Sequence, residues 1–304
     1  MMKVRQFLSV VTLFTSLSIA LAAGPGEPSK EQLAEFQRMN KLAADLKYQT
    51  GEIQLPAAKA KISLKDGFQY LDRAGAKTLL VDIWHNPPQA AAQVIGVIVP
   101  KEFHPLGDVS WAVTIESASD GYVKDDEFDS MDFNSVLKDM KEGSKAASKE
   151  RVAAGYGKME LADWATAPHY DKSQHKLFWA KKYDVDGPEQ SLNYDIRVLG
   201  RAGHLELSLI SEMSQFKEIE SQVPTILSMV DFTDGNRYAD YRSGDKVAEY
   251  GIAALITGGV LAKTGLLKGL LLFLAKGWKL VLVGVVGIGA FIKRIVSGRA
   301  ERRL

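Results

Sequence analysis

The chain has 304 residues, a formal net charge of +1 and no cysteine. The missing cysteine excludes a disulfide framework, a thiolate metal site and a thiol nucleophile. Charge is unevenly divided: residues 23–245 hold 26 Lys+Arg against 35 Asp+Glu (net −9), and residues 246–304 hold 10 against 2 (net +8). An acidic body on a basic tail argues against nucleic acid as the partner and suits a tail beside anionic lipid.

The chain opens with a short basic segment carrying Lys3 and Arg5, an apolar run from Phe7 to Ala20, and the A-x-A site Ala20-Leu21-Ala22. These are the three parts of a secretory signal peptide, with cleavage expected after Ala22, so residues 1–22 are read as a leader. Residues 23–50 follow as an N-terminal helix. Ser29 and Gln32 make a capping-box pattern, and Leu33, Phe36, Met39, Leu42 and Leu46 recur at helical spacing.

Residues 51–245 read as one exported α+β domain. Short strands are expected at Glu52–Leu55 and Ala60–Leu64, then a helix capped by Asp66 and running through Phe68, Leu71, Ala74, Leu79, Leu80 and Ile83. Trp84-His85-Asn86-Pro87-Pro88 predicts a rigid extended turn. Gln93–Val99 reads as a strand, and Ser110–Ser117 alternates, with Trp111, Val113 and Ile115 on one face. An acidic turn begins at Asp120, and Asp132 or Asn134 caps a helix reaching about Ala154. Strands are expected at Lys158–Ala165 and Lys176–Val185, with Pro168-His169-Tyr170-Asp171 between them. Ser191–Leu199 and His204–Ser211 alternate around Gly200-Arg201-Ala202-Gly203 and predict a hairpin. Ser214 is expected to cap a last helix, kinked at Pro224. Neighbouring strands without βαβ alternation argue α+β: a mainly antiparallel sheet with packed helices, followed by a C-terminal helical membrane anchor.

That anchor and its basic tail are residues 246–304. Two uncharged runs, Tyr250–Ala262 and Leu280–Ile292, have 13 residues each. This is short of the ~17–25 that span a bilayer, but flanking lysines snorkel, and Tyr250 and Trp278 suit the membrane interface. Two equal runs favour a hairpin in the membrane. The charges Lys293, Arg294, Arg299, Arg302 and Arg303 favour a single crossing. The balance leans to the hairpin.

Catalytic motifs are sparse. There is no G-x-S-x-G elbow, no Walker A loop and no full G-x-G-x-x-G, so no cofactor is expected. The acidic turn lacks the EF-hand spacing, and His169, Asp171 and His175 form no zinc motif, so no metal is expected either. The candidate ligand-binding residues are Trp84, Asn86, His169, Asp171, Asn193, Asp195 and Arg197. In the hairpin, a four-residue loop sets Arg197 opposite Glu206 and Asp195 opposite Ser208. Tyr194, Ile196 and Val198 then share an apolar face with Leu205, Leu207 and Leu209. Arg197 and Glu206 read as an exposed pair worth ~0.2–1 kcal/mol. The sharper reading places Arg197 in a groove that takes an anion.

A resemblance runs through Trp84–Pro88, Asp120–Asp126, Trp164–Asp171, Asn193–Arg201 and Asp245–Gly251 leading into Ala253-Ala254-Leu255. With these segments the chain resembles a family of uncharacterised bacterial membrane-anchored proteins, domain of unknown function 2167. His85 and Asp163 stand where the family pattern has glycine. The resemblance implies an exported domain with a C-terminal anchor and brings no reaction, ligand or catalytic residue with it. The resulting expectation is a binding module on the outer, periplasmic face of the cytoplasmic membrane. Its partners would be membrane lipid and an envelope protein or polymer. The rivals are an envelope hydrolase or transferase using His169 with Asp171 or Asp195, and an accessory subunit of a membrane transport complex.

Overall fold

The computed structural model describes residues 30–257 except 87, 108–110, 154, 156 and 189. The leader, Ala22, Ser29 and everything from residue 258 onward, including Trp278, lie outside the described residues.

The core is a seven-stranded sheet in the order β3-β4-β5-β10-β9-β8-β7, antiparallel throughout. The strands are β3 (Phe68–Asp72), β4 (Gly96–Pro100), β5 (Ala112–Ala118), β7 (Met159–Asp171), β8 (Lys176–Val185), β9 (Gln190–Gly200) and β10 (Gly203–Glu212). One face carries a small sheet of β1 (Glu52–Leu55), β2 (Ala60–Ser63) and β11 (Val230–Phe232), together with helix α4 (Phe216–Met229). Ile53, Ile62, Ile219, Val223 and Ile226 meet Ile98, Ile115, Ile196 and Leu207 there in the largest core cluster. The opposite face carries α1 (Lys30–Asp45), α2 (Arg73–Lys77), a π-helical turn (Thr78–Ile83), α3 (Phe133–Ala153) and α5 (Ile252–Thr257). The fold is α+β with mainly antiparallel sheets. Among the described residues no helix is long and apolar enough to cross a membrane.

The hairpin of β9 and β10 has the expected register, with Arg197 opposite Glu206 and Asp195 opposite Ser208. Its loop needs glycine at Gly203, where a Cβ would lie 1.9 Å from the Ala118 carbonyl oxygen. Two other expectations are corrected. The stretch after Asp66 is not helical at first: Phe68–Asp72 forms β3, because Phe68 and Tyr70 alternate onto one core while Leu71 faces the other. The helix begins only after Asp72, whose Oδ1 accepts from Gly75 N at 2.9 Å. Pro168–Asp171 is not a connection but the end of β7. An edge strand tolerates proline, since the missing N–H would face outward. That edge is also closed by α3, whose Ser148 and Ser144 hydroxyls accept from Met159 N (3.0 Å) and Leu161 N (2.7 Å). Three register shifts along β7 further discourage edge pairing.

The last helices fit less closely. Asp132 caps α3 as expected, through Asn134 N at 3.0 Å. Ser214 does not cap α4, which starts at Phe216 after a 3-10 turn; the Ser214 hydroxyl donates to Glu212 instead.

Candidate functional site

Residues directly opposite on neighbouring strands share a face. Two rows therefore cross the α3 face of the sheet. One is Trp179, Asp195, Ser208 and Thr114; the next is Leu177, Arg197, Glu206 and Glu116. Lys181 and Asn193 stand before them, and Leu199 and His204 after. The result is a polar strip between two apolar clusters, one under α1 and α2 and the other under α3 and α5.

The alternation predicts this polar face, but the expected exposure is wrong. Arg197 and Asp195 are each 5% exposed, and Asn193 is 6%. Arg197 Nη2 lies 3.1 Å from Glu206 Oε2 and 3.5 Å from Asp195 Oδ1. Its Nη1 donates to the Ile196 carbonyl at 3.0 Å, and its guanidinium carbon sits 5.1 Å from the centre of the Trp179 ring. Asp195 Oδ2 meets Lys181 Nζ at 2.9 Å, and Glu206 Oε1 meets His204 Nε2 at 3.3 Å. The surface-pair reading of Arg197 is thus overturned. The groove reading loses its basis as well, because two carboxylates already surround the guanidinium.

Burial works against ionised Glu206, but Arg197 and His204 outweigh it and hold its carboxyl at about 2. Burial likewise opposes the Lys181 ammonium, yet Asp195 raises it to about 12. Glu116, opposite Glu206, is raised by burial and by the Glu206 charge. A carboxyl depressed in the folded state stabilises above its unfolded pKa, and that stability is lost as pH falls through the folded value. Acid titration is therefore expected to remove on the order of 3 kcal/mol between about pH 4.5 and 2 through Glu206, and Glu206→Gln flattens that limb in a urea series. Trp179 Nε1, Asn193 Oδ1 and His204 Nδ1 are buried and make no hydrogen bond among the described residues.

Next to the strip lies the segment that leads toward residue 258. Strand β12 (Val247–Gly251) pairs in parallel with β6 (Tyr122–Lys124) and runs directly into α5. Arg201 grips Asp245 through two hydrogen bonds of 2.7 and 2.9 Å, holding that carboxyl at about 2. Tyr250 donates to Asp120 at 2.8 Å, and Ala253 N donates to Glu127 Oε1 at 3.1 Å. Ile252, Leu255 and Ile256 are buried with Trp179, Leu199 and Tyr238. Tyr250, expected at a membrane interface, is thus engaged within the domain, and residues 246–257 belong to it rather than to an anchor.

The remaining candidates do not join the strip. Trp84 packs edge-on against Phe103 and donates to the Pro105 carbonyl at 2.9 Å, while the Asn86 backbone closes the π-helical turn onto Leu80 O. His85 between them has φ of 53°, so the left-handed backbone suited to glycine is present without one. His169 is exposed against Phe178, on the α4 face, so the sheet separates it from Asp195. Asp171 organises its own turn, accepting from Ser173 N, Ser173 Oγ, Gln174 N and Gln174 Nε2. Outside the strip, His175 lies 3.9 Å from the Asp125 carboxylate. Its Nδ1 is 3.1 Å from the Tyr170 hydroxyl, which donates to Asp125 at 2.6 Å, and its ring lies 4.3 Å from that of Tyr238. Sequence spacing gave no signal for this trio, which joins the β7–β8 hairpin to the acidic loop 45 residues earlier than Tyr170. Among the described residues no three His, Cys, Asp or Glu gather to hold a metal.

The segments that carry the family resemblance now have places in one fold, and the family described as "Protein of unknown function (DUF2167)" matches residues 47–289. The chain belongs to the DUF2167 family. The match runs through the strip and β12 and beyond the described residues. A comparison with curated proteins gives no match. Among solved structures, this DUF2167 chain is similar to cyanobacterial PsbP (CyanoP) from Synechocystis sp. PCC 6803, with 11% identity, 61% of this chain and 92% of that one covered, and a TM-score of 0.33. It is also similar to the Saccharomyces cerevisiae Ran-binding protein Mog1p, with 10% identity, 62% and 97% covered, and a TM-score of 0.31. At those scores neither likeness bears on the site.

Proposed function

We propose that the chain is an exported binding module, tethered to the outer face of the cytoplasmic membrane and held there for a protein or polymer partner of the envelope. The observation that supports this reading is the construction of residues 245–257. A pairing strand, a two-bond Arg201–Asp245 clamp and a buried short helix mount the domain firmly on the segment that leads into the apolar, basic stretch from residue 258. A loose tether needs none of these. The separation of His169 from Asp195 does not favour a hydrolase built on that pair.

The mounting also bears on topology. Eight of the 13 residues in Tyr250–Ala262 fold within the domain, which leaves Gly258–Ala262. Five residues rise about 7.5 Å as a helix, against a hydrocarbon core of roughly 30 Å. The first arm of a membrane hairpin is thereby shortened, and a single crossing through Leu280–Ile292 becomes the better reading, with the basic tail inside. The expected results are protein in the membrane fraction whose N-terminal sequence begins at Ala23, and a tag after Leu304 that external protease cannot reach in spheroplasts. A start at Met1 or Met2 refutes export with cleavage; a digested tag refutes the single crossing.

A further inference from the structure

The covered part of the polar strip holds three carboxylates and two fixed cations among the described residues. Glu116 on β5, Glu206 on β10 and Arg197 on β9 lie side by side in one row, with Asp195 in the next row and Lys181 in the one beyond. Both cations are taken up by two of the carboxylates. Lys181 Nζ lies 2.9 Å from Asp195, and Arg197 Nη2 lies 3.1 Å from Glu206 and 3.5 Å from Asp195. Glu116 is half-buried and faces Glu206 directly, and its carboxyl has no ion pair or hydrogen bond among the described residues. Like charges opposite each other on neighbouring strands destabilise the pair. His204 does not supply the missing cation: its Nε2 meets Glu206 at 3.3 Å, but Nδ1 is buried without a partner, so a second ring proton would have no acceptor. Burial raises the Glu116 carboxyl, the Glu206 charge raises it further, and Arg197 opposes them. The other neighbour of β5 is β4, which carries no charge from Gly96 to Pro100. From β6 and β12 come Tyr122, Lys124, Glu249 and Tyr250, with Asp120 and Lys246 just before those strands; Lys124, Lys246 and Glu249 are exposed. Tyr250 lies within electrostatic reach of Glu206 and Arg197 and donates to Asp120 at 2.8 Å.

We infer that the strip is a proton-operated latch on residues 246–257. With a proton on Glu116 the charges balance two against two, and the segment is held on the strip. Without it a third carboxylate faces Glu206, and the segment loosens. Glu116 suits the part because it is the half-buried member of the row and can exchange its proton with water. The loosening is directed to one side. The strands that carry the strip are locked in the sheet, whereas its cover is built from β6, β12 and α5. Tyr250 of β12 stands near Glu206 and Arg197, and Trp179, 5.1 Å from the guanidinium, packs with Ile252, Leu255 and Ile256. An unbalanced charge regains water at least cost by lifting that cover. The sign follows from linkage. A carboxyl raised by folding contributes stability that is full below its ordinary value of 4.5 and is lost as pH rises through the folded value. This is opposite to Glu206, whose contribution is lost as pH falls toward about 2.

The test is hydrogen exchange on the full chain in mild detergent, from about pH 5 to about pH 8, with the chemical exchange rate at each pH divided out. Protection of residues 246–257 is expected to fall as pH rises, by at most about tenfold per pH unit, the limit for one proton, while β9 and β10 keep theirs. Glu116→Gln, uncharged at every pH, is expected to keep the segment protected with no slope. Glu206→Gln, which also leaves two carboxylates for two cations, is expected to flatten the profile too. The infrared difference spectrum of the parent between the two ends of the range should contain the band of one protonated carboxyl, and that of Glu116→Gln should lack it. A flat parent profile refutes the latch. A slope that survives in Glu116→Gln places the proton elsewhere and overturns the assignment. Loss of protection in β9 and β10 together with 246–257 means that alkali opens the whole domain, and the latch fails again. If Glu116→Gln does not fold, a slope in Glu206→Gln or a missing carboxyl band in the parent overturns the inference in its place.

Discussion

Arg197→Ala is expected to destabilise the domain by about 3–5 kcal/mol in urea unfolding, several times the value of an exposed pair. The reason is what remains after the guanidinium is removed. Glu206 and Asp195 are left in a strip with little solvent, one without its 3.1 Å partner and the other with only Lys181 and the Ser208 hydroxyl. The Trp179 ring also loses the cation over its face. Arg197→Lys is expected to recover only part of the loss, because an ammonium is a point charge and cannot span both carboxylates and the Ile196 carbonyl. The double variant Arg197→Met/Glu206→Gln should cost less than the two single changes added, since it removes the stranded charge along with its partner. A loss below about 1 kcal/mol for Arg197→Ala would mean that water reaches the strip and that the pair is a surface one.

Gly121→Ala is the second large effect, and it acts on the mounting. Gly121 has φ of +117°, and a Cβ there would lie 2.8 Å from Ala248 N, Lys246 O and Val247 C. These are backbone atoms of β12 and the residue before it, so no flexible side chain can give way. The substitution forces β12 off β6, and the Tyr250–Asp120 and Ala253–Glu127 hydrogen bonds are strained with it. Faster hydrogen exchange and new protease cuts are expected across residues 246–257, at about 2–4 kcal/mol of lost local stability, while β9 and β10 stay protected. Gly67→Ala is the control. Its φ is +92° but nothing lies within 4 Å of the added carbon, so it reports the backbone strain alone, roughly 1 kcal/mol. Equal exchange in the two variants would show that β12 does not depend on the close approach at Gly121.

Much of the central hairpin was legible beforehand. A period of two and a turn centred on Arg201-Ala202 determine which residues lie opposite each other, because a strand places alternate side chains on opposite faces whatever surrounds it. The expected four-residue loop gives the same register as the two-residue loop that forms, since Gly200 and Gly203 simply extend the pairing. The pairing of Arg197 with Glu206, the apolar face of Tyr194, Ile196 and Val198, and the α+β class all follow from local pattern. The cap at Asp132 does too, since its partners are two and three residues away. The His175 trio was not legible. Tyr170 stands at the end of β7 and His175 in the turn before β8, but Asp125 comes from the distant loop after β6, and only packing brings it within hydrogen-bond reach of Tyr170.

What the sequence alone determined is therefore register, amphipathic faces, and the split between an acidic body and a basic, apolar tail. Tertiary structure decided whether the polar face of the hairpin meets water. Alternation says that two faces differ, not what covers them, and here the cover comes from segments as distant as Phe133 and Ile252. It also decided the place of Tyr250–Thr257. An uncharged apolar run of that length reads alike at the start of a membrane helix and in a short helix buried in a domain. The difference lies in whether Trp179, Leu199 and Tyr238 are there to receive Ile252, Leu255 and Ile256, and the burial energy of those side chains holds the helix in the domain.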